Sequence, residues 1–233
     1  MASLDSVLIR QALASGVVRQ TTNDLSVGLR LRYVGTGTVT SVDATTGDNI
    51  TLVTSDGLTD VYLFSAYTTV GAVADAINAD GIFEAKVVDC LRSEGSDDFF
   101  LTATITSTTD VDGIRVWDLV IDDNGAATFS CNLSPDQLRW DRPSDHRVHL
   151  QEIYYNVTHT AAATTLRVYQ RTKAGVETLL FAMLGVNATN TTVTFASGEA
   201  KITGETDADL IVQVTGTVTN ATTNMIRVAG IRE

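Results

Sequence analysis

The chain has 233 residues, 44% of them hydrophobic, enough to bury one large β core or two smaller ones and too many for wholesale disorder. Its formal charge is −12, from 16 basic and 28 acidic residues. That balance excludes the basic face that a nucleic acid or an anionic membrane surface would require. Threonine occurs 35 times; it is β-branched and suits half-solvated strands, so a mainly β fold is expected.

From the N-terminus, Leu4, Val7, Leu8, Ala12 and Leu13 have a partly helical spacing that Gly16 and the pair Val17-Val18 weaken. Asp5, Arg10 and Arg19 break the segment before a signal-peptide core could form. Two readings stay open. One is a short packed helix. The other is an arm with Leu4, Val7, Leu8, Val17 and Val18 as apolar anchors and Arg10 and Arg19 as charged contacts. Such an arm orders on a partner or folds back on the acidic region after it.

Charge then divides the chain. Residues 1–32 carry +2, residues 33–143 carry −13 and residues 144–233 carry −1. Pro135 and Pro143, the only prolines, bracket a stretch between two strand-rich regions. The predicted organisation is an arm or short helix over 1–32, an acidic α+β module over 33–134, a linker over 135–143 and an antiparallel β-sandwich, jelly-roll-like, over 144–233.

Within the acidic module, strands are expected at Tyr33–Val42, Ile50–Thr54, Val61–Ser65, Phe83–Val88, Phe99–Thr106 and Ile114–Ile121. One helix is expected over Thr69–Ala79. There Val70, Val73, Ala74 and Ile77 form a stripe, Thr68 or Thr69 caps the start, and Gly81 suits the left-handed position past the end. Asp122-Asp123-Asn124-Gly125 leads into Ala127–Cys131 and reads as a hairpin turn. After the linker, strands are expected at Val148–Thr158, Thr165–Arg171, Glu177–Leu184, Thr191–Phe195, Leu210–Val218 and Met225–Ile231, with Ala200–Thr203 as a further candidate. Strict alternation places Val148, Leu150 and Tyr154 on one face and His149, Ile153 and Tyr155 on the other. It likewise turns Leu210, Val212 and Val214 inward and Ile211 and Gln213 outward.

Chemistry finds little footing. His146 and His149 fall on opposite faces of a strand, which disfavours a shared metal, and His159 stands apart. Asp43 to Asn49 and Asp122 to Gly125 lack the ligand spacing of a calcium loop and read as turns. Gly35-Thr36-Gly37 lacks the third glycine of a dinucleotide fingerprint. Cys90 and Cys131 end strand-like runs and carry no catalytic signature; a disulfide framework is absent. Trp117 and Trp140, with the tyrosines, are the only aromatic platform candidates. No enzyme, cofactor or metal is expected.

The run Thr68-Thr69-Val70-Gly71-Ala72-Val73-Ala74-Asp75-Ala76-Ile77-Asn78-Ala79, followed by Phe83-Glu84-Ala85-Lys86-Val87-Val88, resembles small α+β modules of bacteriophage virion proteins and flagellar hook-associated proteins. In those, a T-x-x-x-V/L-A-x-x-I-N helix precedes a strand that begins F-x-A. Gly175 to Phe181 and Thr206 to Val212 are similar in style to the threonine-rich sandwiches of capsid decoration (cement) proteins and virion fibres. The resemblance implies a homotrimer seated on a capsid and bound to the major capsid protein or another virion protein. It also implies a part made in the host bacterial cytoplasm and resident in the virion. The alternatives are a tail, neck or baseplate component, or a carbohydrate- or receptor-binding module on a fibre. The resemblance carries over no functional residue.

Overall fold

The computed structural model describes residues 17–22, 25–44, 48–97, 99–100, 105–106, 116–122, 127–133, 147–156, 165–183, 191–194, 202–216 and 225–232. In chain order the elements begin with β1 (Val17–Thr22), β2 (Leu25–Tyr33), β3 (Val39–Asp43), β4 (Asn49–Thr54) and β5 (Thr59–Leu63). Next come α1 (Val70–Asp80), β6 (Phe83–Val87), β7 (Phe99–Phe100), β8 (Ile105–Thr106) and β9 (Val116–Asp122). The rest are β10 (Ala127–Leu133), β11 (Val148–Asn156), β12 (Thr165–Arg171), β13 (Glu177–Met183), β14 (Thr191–Thr194), β15 (Ile202–Thr203), β16 (Asp209–Gly216) and β17 (Met225–Arg232). The fold is mainly β, with antiparallel sheets and one helix among the described residues.

The chain divides into two units, and one is inserted in the other. Leu25–Asp122 forms the insert; β1 and everything from β10 onward belong to the second unit. These limits differ from the charge-based ones at both ends. β2 pairs with β6 and β9, so it belongs to the acidic unit and not to an N-terminal arm. β10 pairs with β16, far along the chain, so it belongs to the sandwich. Asn124 and Gly125 lie outside the described residues, and the strands on either side are not paired with each other as the expected hairpin requires: β9 finds its partners in β2 and β7, and β10 finds its own in β16. Non-local pairing has overridden a strong local signal, and Pro135 to Pro143 lie outside the described residues. The charge contrast itself survives: the insert holds five basic and fifteen acidic residues, so −10 of the −12.

In the insert, sheets ordered β6-β2-β9-β7 and β5-β4-β3-β8 share one core with α1. Val70, Val73, Ala74 and Ile77 bury the predicted stripe, while Asp75 and Asn78 are exposed. Thr69 Oγ1 accepts from Ala72 N at 3.2 Å, and Gly81 sits at φ 74°. The free N–H groups of the first turn are taken as well: Val70 N donates to Glu94 O and Gly71 N to Arg92 O. That loop therefore closes the helix terminus. At the other end Asn78 clamps Ala85, donating to its carbonyl at 3.0 Å and accepting from its N–H at 2.9 Å.

The second unit is a two-sheet sandwich. One sheet runs β1-β17-β11-β14, with β15 also on β11; the other runs β10-β16-β12-β13. Leu133, Leu150, Ile153, Val168, Val212 and Val228, drawn from both sheets, meet in one core. Alternation along β11 is broken once. Leu150 pairs with Gly230 and Glu152 with Ala229, which leaves Gln151 as an extra residue. This bulge reverses the faces: Val148 and Leu150 point inward before it, and Ile153 and Tyr155 point inward after it. The expected shared face of Leu150 and Tyr154 is corrected accordingly. In β16 the inward residues are as expected, but Ile211 and Gln213 on the opposite face are buried too.

Gly230 makes the bulge region possible. A Cβ there would lie 2.5 Å from Leu133 Cδ2 and 2.6 Å from the His149 carbonyl oxygen. The leucine can shift, but the backbone oxygen is held by the sheet. Gly230→Ala should therefore lower stability by about 2 kcal/mol, within the cost of overpacking a core, measured as a shifted urea midpoint at unchanged slope.

Candidate interaction surface

β13 is the outer strand of its sheet, with β12 as its partner among the described residues. A tight turn joins the two strands. Gly175, at φ 82°, donates its N–H to Thr172 O at 2.9 Å, and Val176 N donates to Thr172 Oγ1 at 3.2 Å. Beyond the turn, Phe181 pairs with Val168 but Leu179 with Tyr169, so Leu180 is a bulge. Phe181 and Met183 pack against the sandwich core. The bulge takes Leu179 and Leu180 out of alternation, and both face solvent, 49% and 40% exposed. Val176 adds a third apolar side chain at 59%.

The root of this strand is fixed by charge. Arg171 is the cross-strand partner of both Glu177 in β13 and Asp209 in β16. Its guanidinium nitrogens lie 3.6 Å and 3.8 Å from the two carboxylates, and its side chain is only 5% exposed. One cation thus ties three strand ends together. Next to it, Gln170 Oε1 accepts from Glu205 N at 2.9 Å and holds the approach to β16. Removing one partner of a buried ion pair leaves uncompensated charge. Arg171→Met should cost about 3 kcal/mol in chemical unfolding, while Arg171→Lys should restore part of it.

The insert has a comparable edge in β5, where Val61 and Leu63 are about half exposed and Leu58 is 42% exposed. Its electrostatics differ. Tyr62 OH donates to Asp80 Oδ2 at 2.7 Å. Burial, and then that hydrogen bond, raise the Tyr62 hydroxyl far above the usual range, so it remains a donor. Burial, followed by repulsion from Asp80, raises the Asp60 carboxyl above its ordinary value. A carboxyl raised by folding binds its proton more tightly in the native state, so its ionisation at neutral pH opposes folding. Asp60→Asn should raise the melting temperature at pH 7. The gain should fade as pH falls through the raised range in which the Asp60 carboxyl becomes protonated in the wild type.

Among the sequence candidates, Val17, Val18 and Arg19 lie in β1, paired with Gly230, Ala229 and Val228. Their backbone is engaged within the chain, on the sandwich and not on the acidic insert. Leu4, Val7, Leu8 and Arg10 lie outside the described residues, as do His146, His159 and Trp140. His149 Nδ1 meets Thr203 Oγ1 at 3.0 Å across two paired strands. Among the described residues no three His, Cys, Asp or Glu side chains gather as a metal site. Cys90 and Cys131 are buried, each in a different core. The Gly35–Gly37 loop is folded onto Tyr33, whose hydroxyl accepts from Gly37 N at 2.9 Å. Tyr155 is a core residue, and Tyr154 lies under Arg227, 5.8 Å from its ring centre, so the two do not form a sugar platform.

Val176, Leu179 and Leu180 escaped the sequence reading. Their signal was the run Leu179-Leu180-Phe181, which is apolar without alternation. The chain matches no family model, no curated protein and no solved structure.

Proposed function

We propose that this chain is a non-enzymatic structural component of a tailed-phage particle, binding and stabilising the capsid surface as a decoration or cement protein. Its partners are the major capsid protein, or another virion protein, and further copies of itself, three in the arrangement the resemblance implies. The observation that carries the reading is the apolar edge of β13: Leu179 and Leu180 stand open to solvent on a strand whose root is fixed by a buried ion pair. A rigid, neutral strand edge is a surface for assembly. The phage assignment rests on the resemblance of Thr68 to Ala79 and Phe83 to Val88.

The test is co-sedimentation of the purified chain with purified phage capsids. Saturable binding at a fixed ratio, with a higher capsid melting temperature, is the expected outcome. Rings or tubes formed without capsids would replace this reading with a tail or neck role. Absence of binding would reject it.

A further inference from the structure

We propose that β13 is a self-complementary edge through which two copies of the chain pair antiparallel about a two-fold axis. Their four-stranded sheets would join into one of eight strands. The inference deepens the self-association in the proposed function, but it does not depend on which particle, if any, the chain binds.

Charge selects a second copy as the occupant. In a two-fold contact each surface meets itself, so any unmatched charge meets its own kind. Two copies of a −12 chain repel each other at most approaches. β13 offers an uncharged approach. Thr178 to Met183 carries no charged residue, no proline and no glycine. Glu177, the one charge in the strand, faces Arg171 in its own chain. Pairing about an axis through Leu179 and Leu180 brings the solvent-facing leucines of the two copies together on one face, and over Thr178 to Met183 it sets no charge against charge.

Natural edge strands are commonly guarded by a charge, a proline or a bulge. From Thr178 to Met183 β13 has only the bulge, which here delivers Leu179 and Leu180 outward together. β5 shows the contrast, because it carries Asp60 beside Val61, with Asp80 close enough to repel it. Self-pairing of β5 would add carboxylates to carboxylates.

Native mass spectrometry of the full chain at micromolar concentration tests the idea. The Leu179→Lys/Leu180→Lys variant should halve the mass of the species in solution: dimer to monomer, or hexamer to trimer where a threefold contact coexists. Both positions are solvent-facing, and an unchanged circular dichroism spectrum and urea midpoint check that the variant is folded. The paired substitution Val61→Lys/Leu63→Lys on β5 should leave the mass unchanged. Separately, Leu180→Cys should give an intermolecular disulfide under mild oxidation, since Cys90 and Cys131 are buried. A monomeric wild type, an unaltered mass in the folded β13 variant, or no cross-link would each overturn the inference. Capsid binding alongside any of these would leave the particle reading standing and remove only this contact.

Discussion

Six residues near one end of the chain and six near the other hold the sandwich closed. Val17 to Thr22 pairs antiparallel with Gly230 to Met225, which makes β17 an inner strand flanked by β1 and β11. Without β1, β17 would present a full row of unpaired backbone groups to solvent, and the sheet would keep only one neighbour for it. The same strand provides Gly230, whose missing side chain lets Leu133 and the His149 carbonyl come close. Sheet closure and sheet-to-sheet packing therefore meet at one strand.

That constraint is compatible with a large insertion because of how the insert is built. Its first and last residues, Leu25 and Asp122, are cross-strand partners in β2 and β9. The chain leaves the sandwich and returns to it at adjacent positions. Once the insert is folded, the segment between β1 and β10 behaves as a short connection despite its length, and the entropy of closing it is small. The acidity concentrates in this insert, while the sandwich is nearly neutral.

The helix was legible in full: stripe, cap and terminal glycine are all local features, and all stand where the spacing puts them. Most strands were legible for the same reason. What the sequence concealed was pairing. Leu25, Val27, Leu29, Leu31 and Tyr33 alternate well, yet a boundary drawn on charge set all but the last of them in an arm. The Asn124-Gly125 turn promised a hairpin that two distant partners, β2 and β16, took apart. A single extra residue at Gln151 exchanged the faces of Ile153, Tyr154 and Tyr155, because period-two reasoning cannot register a bulge. At β13 the signal was present but read only as strand: consecutive leucines cannot both enter a core.

The β1–β17 ladder also sets an order of events during synthesis. The insert is complete once Asp122 has emerged, and its pairings lie within about a hundred residues of chain. β1 is made before it and waits about two hundred residues for Met225 to Gly230. Through that interval Val17 and Val18 have no native strand beside them, and a nascent chain on a neighbouring ribosome offers the same unsatisfied sequence. Early folding of the insert shortens the wait in space though not in time, by keeping β1 near β10 as the sandwich strands appear. Slowing translation after Asp122 would lengthen the exposure of β1, so yield on expression should depend on elongation rate over the last hundred codons more than over the first hundred.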